Sequence, residues 1–141
     1  MKLKHTSFVL AAALTTVIAA GAASAATTSS GASVVIRHQM RGCHSWSVNG
    51  GPFKASQTIA LKRGSSLTVR NNDVMPHKLV LTSGPALRIA PATLGHMGAL
   101  VKVTFARSGV YHFTTRAGED YMAGVKTTGE DNVLRLTVTV T

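Results

Sequence analysis

Asn71-Asn72-Asp73-Val74-Met75-Pro76-His77 is the stretch on which the reading of this chain turns. Short amide and carboxylate side chains bond their own backbone two residues on, so Asn-Asn-Asp predicts a hydrogen-bonded turn. Pro76 then fixes the backbone directly before His77. An imidazole presented this way is held rigidly at one end of the strand that follows. From His77 to Thr82, Leu79 and Leu81 alternate with Lys78 and Val80, the period of a strand running into a core.

Outward from that turn the chain breaks into short β-type runs separated by turn residues, with no helical period. Ser33 to His38 opens with Val34, Val35 and Ile36. Gln57 to Leu61 and Leu67 to Arg70 alternate on either side of a turn at Lys62-Arg63-Gly64-Ser65. Val101, Val103 and Phe105 share one face, Gly109 turns the chain into a strand from Val110 to Thr115, and Leu134, Leu136, Val138 and Val140 line the last strand, Val133 to Val140. Between them, residues 83–97 contain Pro85 and Pro91 and leave room for a short helical turn around Ala90 to Leu94. About seven strands in one small domain predict an all-β, two-sheet sandwich.

Residues 1–25 carry Lys2 and Lys4, an apolar run from Phe8 to Ala20, and Ala23-Ser24-Ala25. This is the form of a secretory signal peptide, too short in its apolar part to be a membrane anchor. An Ala/Thr/Ser/Gly linker follows over residues 26–32, leaving residues 33–141 as the domain. Cleavage after Ala25 leaves 116 of the 141 residues, with thirteen basic side chains against five acidic ones and a net charge near +8. Such a charge favours acidic partners or an anionic membrane surface. Lys54, Arg70, Lys78, Arg88, Lys102, Arg107, Arg116, Lys126 and Arg135 are scattered singly, mostly along strand-like runs, the spacing of a solvated sheet face, and nucleic acid is not expected as a partner. The location expected of an exported chain is periplasmic or secreted.

Cys43 is the only cysteine, so no intramolecular disulfide forms. A lone thiol in an oxidising compartment is buried, paired between chains or bound to metal. Gly-rich phosphate loops, His-Glu-x-x-His helices and Gly-x-Ser-x-Gly elbows are absent, and no enzymatic activity is expected.

Together with Tyr111-His112-Phe113 and Met122-Ala123-Gly124, the His77 turn resembles the copper-binding edge of the cupredoxins, the family of plastocyanin, pseudoazurin and amicyanin. The resemblance spans about Gln57 to Val140 and implies a Greek-key β-sandwich. In that family a histidine follows Asn-x-x-x-Pro, and a loop after a Tyr-x-Phe-x-Cys strand supplies Cys, His and Met. Here His77 and Met122 stand at two ligand positions, but Thr115 occupies the cysteine position and no histidine follows it. Soft thioether sulfur suits Cu(I), and threonine is a poor copper ligand.

What the resemblance implies is therefore a rearranged site for one copper ion. His77 is its anchor. Cys43 or His44 replaces the lost thiolate, Met122 follows the family's Met-x-Gly pattern, and His96, beside Met97 and between Gly95 and Gly98, is a further candidate. Glu119 and Asp120 lie where the family places its second histidine, while His38 and His112 read as surface or packing residues within strands. The function implied is electron transfer or copper handling by a monomer, with an acidic redox partner or a copper-delivery protein. The alternative from another class is a metal-free secreted recognition or structural module that keeps the sandwich.

Overall fold

The computed structural model describes residues 29–38, 44–117 and 133–141, and every regular element among them is a β-strand. In chain order these are β1 (Ser29–His38), β2 (His44–Val48), β3 (Ser56–Asn71), β4 (His77–Ser83), β5 (Thr93–Leu94), β6 (Leu100–Thr104), β7 (Gly109–Ala117) and β8 (Arg135–Val140). The all-β architecture expected from the alternation is the one observed.

Two layers arise because one strand serves both. The first part of β3, Ser56 to Leu61, runs parallel to β8, whose other side pairs with β7, then β4 and β5. The last part, Ser66 to Asn71, runs parallel to β1 and antiparallel to β6, with β2 on the far side of β1. The hydrogen-bonded path is thus continuous, β2-β1-β3-β8-β7-β4-β5, with β6 as a branch on β3.

Leu61, Leu67 and Val69 of β3 are fully buried with Val34 and Ile36 of β1, Val101 and Val103 of β6, and Leu136 and Val138 of β8. Their alternation with exposed or half-buried neighbours is what a half-buried strand requires. An aromatic group closes the core: the Phe105 and Tyr111 rings meet edge to face at 4.9 Å, and the Tyr111 hydroxyl donates to the Arg107 carbonyl at 2.7 Å. A buried phenol keeps its fold-specifying value only with such a partner.

Four sequence expectations differ from the structure. The stretch Lys62-Arg63-Gly64-Ser65 lies inside the single strand β3, its first three residues exposed and Ser65 buried, with Gly64 at φ +85°; the Arg63 and Gly64 amides still donate to the Thr141 and Phe105 carbonyls. Those bonds hold the strand together as it passes between layers. β1 begins at Ser29, inside the stretch read as a linker, because pairing with β3 supplies hydrogen-bond partners that composition does not reveal. His44 to Val48, between the runs read as strands from Ser33 to His38 and from Gln57 to Leu61, is strand β2, paired across from β1 with Trp46 opposite Ile36. Around Ala90 to Leu94 there is no helical turn; the Ala90-Pro91 bond is cis and Thr93–Leu94 forms the short edge strand β5. The signal-peptide segment lies outside the described residues.

Candidate metal centre

The Asn71–His77 turn sits where β3 ends and β4 begins, and its hydrogen bonds show why this sequence folds so. Asn71 is fully buried, and its side-chain amide donates to the carbonyls of Met75 (2.8 Å) and Leu94 (3.0 Å), while its Oδ1 accepts from the Asp73 amide (2.9 Å). Asp73 Oδ1 in turn accepts from the Met75 amide at 3.1 Å. These are the two-residue side-chain turns expected of Asn and Asp. Backbone bonds tie the turn to its surroundings: the Asn72 amide donates to Ile36 of β1 (2.8 Å), and the Gly98 amide donates to Asn71 (2.6 Å).

The other oxygen of Asp73 faces two imidazoles. Oδ2 accepts from His44 Nδ1 at 2.9 Å and from His77 Nε2 at 3.1 Å, and all three side chains are buried. The His44 and His77 rings stand edge to face, 4.8 Å between centroids at 87°. His38, directly across the β1–β2 hairpin from His44, brings a third imidazole at 6.0 Å on the exposed side. His44 shares its strand face with Trp46, two residues on, so strand parity turns it inward.

Electrostatics fix the protonation pattern. Burial works to raise the Asp73 carboxyl, but the Met75 amide and the hydrogen bonds from His77 and His44 outweigh it and hold the group below its ordinary 3.8. Burial pushes His77 below its ordinary 6.5, against the pull of Asp73 and with the help of its histidine neighbour. An ionised carboxylate accepts only, so His77 carries its proton on Nε2 and a lone pair on Nδ1. That Nδ1 atom is buried and has no hydrogen-bond partner.

A buried, unpartnered imidazole nitrogen whose other nitrogen is held by a carboxylate is the arrangement of a metal-binding histidine. The donor fits copper, for which imidazole is a suitable ligand. Asp73 is engaged by two imidazoles and one amide, so the donor atom that the His77–Asp73 pair offers for ligation is His77 Nδ1.

The sequence-derived residues fall as follows. His77 and His44 are brought together. His96 belongs to the 95–99 loop that bonds Asn71, but its ring is exposed, Nδ1 lies 2.9 Å from the Met97 carbonyl oxygen, and it is not part of the imidazole cluster. Cys43 and Met122 lie outside the described residues, as do Glu119 and Asp120. Thr115, on the same strand face as the buried Tyr111 and Phe113, is half-buried opposite Leu79.

Sequence reasoning missed Asp73 as a side chain of the site and His38 as its neighbour. The signals existed: Asp73 precedes His77 by four residues in a turn, and the antiparallel pairing of β1 with β2 sets His38 opposite His44.

No family model matches the chain, and no curated protein sequence does. Among solved structures it is similar to a purple cupredoxin from Nitrosopumilus maritimus, at 18% identity over 77% of this chain and 98% of that one, with a TM-score of 0.48. It is similar to a methionine-to-alanine mutant of amicyanin in its Cu(I) form at 18% identity, over 77% and 82% of the two chains, with a TM-score of 0.41. A cysteine protease inhibitor from Entamoeba histolytica is similar at 7% identity, over 60% and 85%, with a TM-score of 0.40.

Proposed function

We propose that this chain is an exported copper-binding protein of cupredoxin type, working in electron transfer or copper handling without catalysing a reaction of its own. The observation that carries the reading is the His77 Nδ1 atom, buried and without a hydrogen-bond partner while Nε2 is fixed on Asp73. Groups left unsatisfied in a folded interior cost free energy unless something occupies them, and for a lone pair of this kind a soft or borderline metal ion is the natural occupant.

His77 is the anchor in this reading. Asp73 orients its ring and keeps the correct nitrogen bare. Cys43 is covalently next to His44, whose ring packs on that of His77, so a thiolate from Cys43 or the imidazole of His44 is the second donor. Met122 follows Ala117 by five residues, and Ala117 is the register partner of His77, which favours Met122 as the thioether donor over His96. Bound copper supplies a one-electron couple between Cu(I) and Cu(II). The rigid turn keeps the imidazole from rearranging, and burial keeps water away from it.

The strongly basic composition, +10 over the whole chain, favours an acidic redox partner or copper-delivery protein, or an anionic membrane surface. The N-terminal segment supports a periplasmic or secreted location. The half-buried Thr115 at the position of the family's thiolate favours the second reading, a metal-free recognition or structural module.

Titration of the purified chain with Cu(II), and with Cu(I) against a chelator, separates the two. A Cu(II)–thiolate site gives a strong visible band that Cys43→Ala removes; a Cu(I) handling site binds tightly without colour and weakens in His77→Ala. Absence of affinity for either oxidation state overturns the copper reading.

A further inference from the structure

We propose that His38, His44 and Asp73 form a sulfur-free site for a divalent transition-metal ion at the solvent-facing side of the same pole, distinct from the copper position on His77 Nδ1. One ligand atom from each of the three residues lies within 4.8 Å of the others. Around a tetrahedral ion with bonds near 2.0–2.2 Å, donors stand about 3.4 Å apart. His44 Nδ1 and Asp73 Oδ2, at 2.9 Å, part slightly to admit the ion, and the exposed His38 turns inward to meet it.

The framework favours this closure. His38 and His44 are the register partners at the end of the β1–β2 pair where the chain passes from one strand to the other, and lie on one face of it, with their rings already edge to face at 6.0 Å. Asp73 is fixed by the Met75 amide on its other oxygen and by His77 Nε2 on the same oxygen. The ion takes the place of the proton between His44 Nδ1 and Asp73 Oδ2, which moves to His44 Nε2, so the imidazole stays neutral. His77 then serves as the outer partner that orients the ligating carboxylate.

The donor set selects the ion. Two imidazoles and one carboxylate suit Zn(II), Co(II), Ni(II) and Cu(II) and lack the sulfur that Cu(I) prefers. Three protein ligands with His38 open to solvent leave a fourth position for water or an incoming ligand. The site draws on none of the sulfur donors of the copper reading; it shares His44 and Asp73 with that reading, and His38 belongs to this site alone.

Co(II) alone is the probe, titrated into the metal-free full chain and read by its ligand-field absorption, with Zn(II) added to displace it. The expected result is binding of one Co(II) with the intense d–d bands of four-coordination and no sulfur charge-transfer band. That spectrum persists in the double variant Cys43→Ser/Met122→Leu, and affinity falls at least about tenfold in His38→Ala. His38 is exposed, so its removal leaves the fold intact; thermal unfolding of the metal-free variant checks this. Cu(I) affinity is measured beside it and stays unchanged in His38→Ala, which separates failure of this site from failure of the His77 site. Unchanged Co(II) affinity in His38→Ala, or a cobalt spectrum that needs Cys43, overturns the proposal.

Discussion

His77 Nε2 stands 3.1 Å from Asp73 Oδ2, with both side chains wholly shielded from solvent. The contact spans four residues of a turn that Asn71 and Pro76 lock from either end, so the imidazole and its carboxylate are delivered as one unit. Because Asp73 also accepts from His44, a single buried carboxylate sets the tautomer of two rings. The ligand properties of this pole therefore depend on a residue that need not itself touch metal at His77.

Asp73→Asn tests that dependence. The shape is kept, but the charge and the obligatory acceptor are lost, so the His77 and His44 rings lose their tautomer assignment. We expect copper affinity to fall by about 10–100-fold, the usual loss when the outer partner of a ligating histidine is removed. Stability falls by about 1–3 kcal/mol from the disrupted buried network. Competition titration, urea unfolding and nitrogen NMR of the histidine rings read the three effects; unchanged ring tautomers would show that Asp73 does not set them.

Acid should loosen the metal-free fold in two stages. His77 has a folded pKa below its unfolded 6.5, so the unfolded chain binds the extra proton first and stability drops as pH falls from about 6.5 through the folded value. Asp73 is likewise depressed, and its contribution, present above 3.8, is lost as pH falls further through its folded pKa. Urea unfolding of the metal-free chain at about pH 7 and about pH 5, on either side of the unfolded histidine value, should show lower stability at the lower pH. The difference should shrink in His77→Asn; an equal loss in both chains would assign it to other groups.

The parts of the fold legible in the sequence are those set by local period: the alternation of Leu79, Leu81, Val101, Val103, Leu136 and Val138 marks strands whose buried faces are the ones observed. His77 is legible for the same local reason, a proline-fixed turn. What is not legible depends on partners far along the chain. Lys62-Arg63-Gly64-Ser65 has turn composition, yet Phe105 and Thr141 carbonyls hold it within β3. Asp73 has the sequence context of an Asx-turn residue, and it is one through Oδ1; only the arrival of His44, 29 residues earlier in sequence, gives Oδ2 its second partner.

Asn71 should prove as costly to remove as a core residue although it is polar. Asn71→Ala leaves the Leu94 and Met75 carbonyls and the Asp73 amide without their partner at a fully buried position. With about 1–3 kcal/mol for each buried group left unsatisfied and partial relaxation, the loss is about 3 kcal/mol. Denaturant unfolding measures it, and hydrogen exchange should show faster opening at Asp73 first. A loss under about 1 kcal/mol would mean that water replaces the side chain.

Gly84 and Gly98 separate backbone strain from steric exclusion. Both have positive φ, +126° and +85°, which side chains with a Cβ rarely adopt. At Gly98 an added Cβ would meet nothing within 4 Å, so Gly98→Ala carries only the cost of the left-handed conformation, about 1–2 kcal/mol. At Gly84 the same atom would lie 2.7 Å from the Val110 carbonyl oxygen and 3.0 Å from the Tyr111 Cα. Those are backbone atoms of β7, and β7 carries Tyr111 and Phe113 into the core, so the strand must shift as a whole. Gly84→Ala should therefore cost about 3 kcal/mol or more, strain and overpacking together. Equal losses for the two variants in denaturant unfolding would show that β7 yields at Val110 and that the close approach at Gly84 does not constrain the sandwich.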